Sequence, residues 1–133
     1  MSDETRILAG ILLLSLVTVE TGGLYLVKLW RSAEGVTPFQ IGFARAGHAH
    51  AGVLLVLSLT ALLYVDSAGL SGAWAWLART GVPIAAILMP AGFFAASAGR
   101  GRTSPNRLIV LVFAGAVVLA LGLATLGIGL LTA

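Results

Sequence analysis

The chain of 133 residues contains no cysteine and few charged residues. Without cysteine it can form no disulfide, zinc–thiolate or Fe–S site, and the redox compartment stays open. Charged residues make up 10% of the chain, against about 25% in an average soluble domain, so they are too few to cover a water-facing surface. Apolar residues reach 59% and mean hydropathy is +1.03. This composition is typical of an integral membrane protein, and the length suits a single domain over residues 1–133.

Four long apolar runs divide the chain, and turn-forming or basic residues separate them. Each run exceeds the roughly 20 residues that cross a hydrocarbon core as a helix. Because none alternates with period two, a transmembrane β-barrel is excluded. The sequence therefore predicts an all-α integral membrane fold, a bundle of four antiparallel transmembrane helices. The predicted helices span about 7–30, 41–65, 77–98 and 108–131.

The distribution of Lys and Arg predicts the orientation of this bundle. Short cytoplasmic loops are enriched in both residues, so the two basic connections are expected inside and both termini outside. The net charge of +3 then reflects orientation and not nucleic-acid binding. We expect a multi-pass protein of a prokaryotic cytoplasmic membrane. The basic connections carry Lys28, Arg31, Arg45, Arg100, Arg102 and Arg107, and the other side carries Arg6 and Arg79.

Small residues recur on one face of the last two helices. Lipid tails give helices no hydrophobic drive to associate, so stripes of small residues favour close backbone contact. We predict that these two faces pack against other helices. The stripes are Gly115, Gly122 and Gly129 in the fourth helix and Gly92, Ala96 and Gly99 in the third.

Three ionisable residues lie well inside the apolar runs, away from their ends: Glu20, His48 and His50. Ionisable groups at such depth usually face the bundle interior and have a partner. Counted at 1.5 Å per residue from the cytoplasmic ends of their helices, Glu20, His50 and Met89 are level. We expect these three in one layer between the first three helices, with His48 half a turn lower.

The spacing of the two histidines limits what they can bind. Residues two apart on a helix point about 200° apart, so His48 and His50 cannot both chelate one ion from a regular helix. One should face the core, and the other a different groove, a partner subunit or lipid. In one hypothesis, a Glu–His hydrogen bond only fixes helix register.

Three further hypotheses give this polar site a function. The first is haem b, with an intramembrane histidine as axial ligand and with Met89, an open position or a histidine from a second subunit opposite. The second is copper or another transition metal, with His48, His50 and Glu20 as candidate ligands. The third is a proton or cation path with Glu20 as the titrating group. Candidate polar partners along that path are Thr18, Thr21 and Tyr25.

Arg45 lies three residues before His48, on the same face of the second helix. Its guanidinium could pair with Glu20, bind a haem propionate, or extend to a lipid phosphate.

The segment Phe43-Ala-Arg-Ala-Gly-His-Ala-His-Ala-Gly-Val-Leu54 resembles the second-helix histidine segment of subunit I in haem-copper oxidases, especially the nitric-oxide-reductase branch. In that family an Arg followed shortly by a His opens the helix, and the His ligates the low-spin haem. The resemblance implies haem ligation by His48, with Arg45 as the preceding basic residue.

A second resemblance is to small multidrug resistance transporters, which are four-helix proteins of similar length with one essential Glu in the first helix. Glu20, Lys28 and the pair Glu34-Gly35 are similar to that layout. The resemblance implies proton-coupled transport through Glu20.

The sequence favours a haem- or metal-binding membrane protein with a redox or sensing role. A small proton-coupled transporter and an accessory or structural subunit of a membrane complex are the alternatives. Expected partners are the lipid bilayer and a second copy or another membrane subunit. No nucleophilic triad, phosphate loop or paired catalytic carboxylates occur in the sequence, which argues against a hydrolase and leaves other enzymatic activity open.

Overall fold

A computed structural model describes residues 1–31 and 34–133, and within them the chain forms helices joined by turns. The elements are α1 (Asp3–Arg31), α2 (Pro38–Val65), α3 (Gly72–Ser97) and α4 (Val110–Thr132), with a 3₁₀ turn at Arg107–Ile109. Ser32 and Ala33 of the predicted first connection lie outside the described residues. All four helices are long and apolar enough to cross a membrane. The all-α, four-helix prediction is confirmed, and the orientation of the termini stays a prediction.

Polar side chains set the start of α2. Thr37 caps the helix, its hydroxyl accepting from the Gln40 amide N–H while the Gln40 side chain accepts from the Thr37 N–H, and Pro38 occupies the first turn. This capping box starts α2 three residues before the apolar run that predicted it. The Gln40 side-chain amide also donates to the carbonyls of Ser97 (2.9 Å) and Gly99 (2.6 Å), so the cap ties α2 to the end of α3.

The third helix occupies the middle of the bundle. It packs against both α2 and α4, and its residues Val82, Ala85 and Ala96 are completely buried. Pro83 and Pro90 lie within α3, which continues through both.

Glycines bring α3 and α4 into backbone contact. A Cβ at Gly81 would lie 2.7 Å from the Cα of Gly122, and one at Gly92 would lie 2.7 Å from the Val112 amide nitrogen. Gly115 and Gly129 are also buried. Gly92, Gly115 and Gly122 of the predicted stripes therefore lie in the α3–α4 interface, whereas Gly129 packs against Leu70 and Ala68 of the α2–α3 loop. Gly99 is exposed beyond the end of α3 with φ +117°, and a left-handed turn, not packing, requires glycine there.

The first helix lies at the edge of the bundle and packs mainly on α2. Its N-terminal end is fastened by a group of side chains that we call the Asp66 clasp: Ser2, Thr5, Asp66 and Arg79. The buried Thr5 hydroxyl donates to Asp66 Oδ1 (2.9 Å) and accepts from Arg79 Nε (3.1 Å). The clasp therefore joins α1, the α2–α3 loop and α3.

Candidate functional site

The two histidines of α2 contact different neighbouring helices. The half-buried His48 ring lies on the pair Gly22-Gly23 of α1. A Cβ at Gly22 would lie 3.1 Å from His48 Nδ1, and one at Gly23 would lie 3.6 Å from Nε2. Two consecutive glycines thus leave the space that the imidazole occupies.

His50 lies on the opposite flank of α2 and faces α3. Its Nδ1 is 2.8 Å from the carbonyl oxygen of Ala46, one turn earlier. Because a carbonyl can only accept, Nδ1 carries the proton, and in the neutral ring Nε2 has a free lone pair. The imidazole centroid lies 4.9 Å from that of Phe93, which in turn meets Phe43 edge-on at 5.5 Å. The environment of this histidine is therefore aromatic and apolar.

Arg45 is on the same flank of α2 as His48, one turn nearer the basic end. Its side chain is exposed and borders a small cavity of about 80 Å³ with Leu29 and Trp30 of α1. The exposed guanidinium beside an indole suits the edge of a bilayer. Of the two histidines, His48 is the one that faces α1, as Arg45 does.

Met89 faces α4, away from the histidines. Its side chain is buried against α4, where a Cβ on Gly115 would lie 2.5 Å from Met89 Cγ. The expected layer of Glu20, His50 and Met89 is therefore wrong for Met89, because the glycine stripe of α4 draws the thioether to the other side of α3.

Glu20 is exposed on α1 instead of facing the interior. No ion pair among the described residues includes it. Thr18 and Thr21 are also exposed, and their hydroxyls donate to carbonyls of their own helix at 2.6 Å. Tyr25 is 52% exposed. The expectation that Glu20 faces the interior is wrong, because α1 turns Gly22-Gly23 toward His48 and so directs Glu20 outward.

Glu20, His48 and His50 thus point in three directions. The described residues contain no group of three or more His, Asp or Glu side chains placed to hold a metal ion.

The Asp66 clasp lies at the N-terminal end of α1 and stabilises the charged form of a carboxyl group. The Ser2 backbone N–H donates to Asp66 Oδ2 at 2.6 Å, and the Ser2 and Thr5 hydroxyls and Arg79 add further bonds. These donors, the Ser2 N–H first, lower the pKa of Asp66 from 3.8 to about 2. Sequence reasoning missed the clasp because the partners of Asp66 lie 13 to 64 residues from it in the chain.

The sequence also did not predict the two neighbours of the histidines, the pair Gly22-Gly23 and Phe93. Gly22-Gly23 is visible in the first helix, level with the histidines, and a glycine pair within a helix often marks close approach by a neighbour. Phe93 carried no such signal, since an aromatic residue in an apolar run is unremarkable until a tertiary contact gives it a partner.

Comparison of the chain with protein-family models, with curated proteins and with solved structures finds no match. Fold and side-chain geometry define the protein as a bundle of four long apolar helices with two separated imidazoles on α2 and the outward carboxyl of Glu20 within the apolar length of α1.

Proposed function

We propose that this protein is a multi-pass membrane protein that binds haem, or a single transition-metal ion, through an imidazole of α2 and acts in electron transfer or in sensing. The observation that carries the proposal is the 2.8 Å contact between His50 Nδ1 and the Ala46 carbonyl oxygen.

This contact prepares the imidazole as a ligand. Histidines that bind metals usually donate the other ring N–H to a carbonyl or carboxylate, which fixes the ring and raises its basicity. In His50 the backbone of α2 supplies that acceptor, so Nε2 is the atom available to iron or copper. The bond is local to one helix, and therefore the ring is oriented before any ligand arrives.

The aromatic surroundings of His50 favour haem over a bare ion. Phe43 and Phe93 offer flat apolar surfaces beside the imidazole, which suit the faces and edges of a porphyrin. A small hydrated ion would instead need several polar ligands, and the described residues provide no cluster of them.

The second axial position would be open or filled by another chain. Met89, the candidate within this chain, is turned toward α4. A haem with one protein ligand can bind a small molecule at its free face, which would suit sensing, whereas a second imidazole from a partner would suit electron transfer.

His48 is the alternative ligand. It lies on the same flank of α2 as Arg45, whose guanidinium could meet a propionate. However, the His48 ring lies against Gly22 and Gly23, so binding there would require α1 to move away from α2.

The test is haemin titration of the purified protein, followed by its optical spectrum. We expect a Soret band that His50→Ala abolishes and that added imidazole restores in this variant, because free imidazole can occupy the vacated space. His48→Ala serves as the matched control and should keep the band. A band lost only in His48→Ala would overturn the choice of ligand. Failure to bind either haemin or Cu(II) would overturn the proposal as a whole.

Proton-coupled transport through Glu20 is the second candidate. The observation that favours it is a cavity of about 320 Å³ between α1, α2 and α3, which is lined by Thr18 of the predicted path and by Ser15 but not by Glu20. Proton-dependent flux into liposomes that disappears in Glu20→Gln and persists in His50→Ala would support it over haem binding.

A role as an accessory subunit is the third candidate, and the exposure of α1 favours it. Only 6% of the apolar window of this helix is buried, which leaves a long surface for another membrane protein. Co-purification from native membranes of a stoichiometric partner, lost on substitution of α1 surface residues, would support this role.

A further inference from the structure

The outward side of α1 carries a regular row of residues, which we call the Glu20 seam. Its members follow one another at intervals of four, three, four and three residues, and all of them are exposed. The apolar members are 48% to 72% exposed. This spacing is the a/d pattern by which two helices pack as a left-handed pair. The seam consists of Leu13, Val17, Glu20, Leu24 and Val27.

Glu20 lies deep in the apolar length of α1. It comes eleven residues before Arg31, the last residue of the helix, which corresponds to about 17 Å along the axis. Since a hydrocarbon core is about 30 Å thick, the carboxyl group is near its middle. An ionisable side chain at this depth that faces lipid is strongly unfavourable, so its exposure indicates that another molecule covers the seam.

We propose that α1 pairs in parallel with α1 of a second copy through the Glu20 seam, and that the two Glu20 carboxyl groups hydrogen-bond to each other at the two-fold axis.

The chemistry of the seam selects a second copy as the occupant. In a parallel two-fold pair each seam residue meets its own counterpart. A carboxyl group complements itself when the pair shares one proton, because the hydroxyl of one donates to the carboxylate oxygen of the other. Such a bond across a membrane helix pair adds to the packing of the flanking apolar residues, and one polar seam residue fixes the register.

The seam is separate from both histidines. Gly22 and Gly23, which meet His48, point about 200° and 60° away from Glu20 on α1, and both are half-buried whereas the seam residues are exposed. His50 lies on the far flank of α2, against Phe93. Dimerisation through the seam therefore leaves the proposed ligand sites unobstructed, and the two proposals can fail independently.

The first test measures self-association in liposomes by energy transfer between labelled copies while the lipid-to-protein ratio is raised. Glu20→Leu should weaken dimerisation roughly five- to thirtyfold, the effect expected of one hydrogen bond between membrane helices. Glu20→Gln should retain most of it, because an amide also complements itself. Thr60→Leu, which makes a matched change at an exposed position of α2, should leave it unchanged. A protein that stays monomeric, or a Glu20→Leu variant that associates like the wild type, would overturn the proposal.

The second test uses the absence of cysteine from the chain. Single cysteines at Val17 and Leu24 should form disulfide-linked dimers in membranes, since like positions meet only in a parallel pair. Leu14 and Tyr25 are equally exposed on α1 but lie off the seam, and cysteines there should link poorly. Stronger linkage at Leu14 and Tyr25 than at Val17 and Leu24 would place the contact on another face and contradict the proposal.

Discussion

The two halves of this bundle pack in opposite ways. Between α3 and α4, glycines allow the two backbones to approach closely, and 56% of the apolar window of α3 is buried. Between α1 and α2 the contact is less extensive, and only 6% of the window of α1 is buried. Polar residues at membrane depth occur in the loose half: Glu20 on α1 and both histidines on α2.

This difference separates a stabilising half from a half that can adapt to ligands. Close packing over many atoms stabilises the α3–α4 interface by many small dispersion attractions, and it leaves the two helices little freedom to move. A helix that is packed less extensively and fastened at its end can shift to admit a ligand or a partner. We therefore expect substitutions in the α3–α4 interface to affect folding, and substitutions in the α1–α2 half to affect binding.

The sharpest contrast comes from two glycines of α4. In Gly122→Ala the new methyl group would lie 2.9 Å from the Cα of Gly81, so the two backbones must separate. We expect a loss of about 2–3 kcal/mol in the free energy of unfolding, measured by titration with SDS in mixed micelles. A Cβ at Gly127 meets nothing within 4 Å, so Gly127→Ala is the control and should be as stable as the wild type or slightly more. Equal losses in both variants would contradict the packing contrast.

The Asp66 clasp should have a smaller effect. Asp66→Asn weakens its bonds from Ser2, Thr5 and Arg79, and we expect a loss of about 1–2 kcal/mol. Asp3→Asn is the control, because Asp3 makes an exposed ion pair with Arg6 and no contact with another helix is involved.

The clasp should also respond to pH in a defined direction. The folded state lowers the pKa of Asp66 from 3.8 to about 2, so the fold favours the charged form. Its contribution is fully present above pH 3.8 and disappears as the pH falls through about 2. The difference in stability between wild type and Asp66→Asn should therefore shrink over this window. A difference that grows on acidification would refute the assignment.

The smallest effect is expected where α1 meets His48. Gly22→Leu should destabilise the protein by about 1 kcal/mol, less than Gly122→Ala because α1 is free to shift. His48→Ala should relieve that loss, which a double-mutant cycle measures as a coupling energy. At Gly10 a Cβ meets nothing within 4 Å, so Gly10→Leu should show no coupling to His48. Additive effects of Gly22→Leu and His48→Ala would mean that the two residues do not touch.

Several features of this fold could be predicted from the sequence because they depend on local pattern. Hydropathy alone identifies four helices, and the seven-residue glycine repeat identifies the buried face of α4. The separation of His48 and His50 follows from helical periodicity. Depth along a helix is also a local property, since it needs only a residue count.

The direction in which a side chain points is a different matter. Residue counting placed Glu20 and Met89 at the level of the histidines, but it could not say how far α1 and α3 are rotated about their axes. That rotation is set by the contacts of the whole helix. Gly22-Gly23 turns toward His48, and Gly115 receives Met89. The clasp and the contact of Phe93 with His50 likewise join residues that are distant in the chain.

By itself the sequence determined that this protein is helical, that its helices are long and apolar enough to cross a membrane, and that three ionisable groups lie within them. These follow from composition and period, which each segment carries on its own. Only the tertiary structure decided that the two imidazoles meet different helices and that Glu20 faces outward. The physical reason is that the rotation of each helix about its axis is set by all of its packing contacts together. The few polar side chains therefore point wherever that rotation directs them.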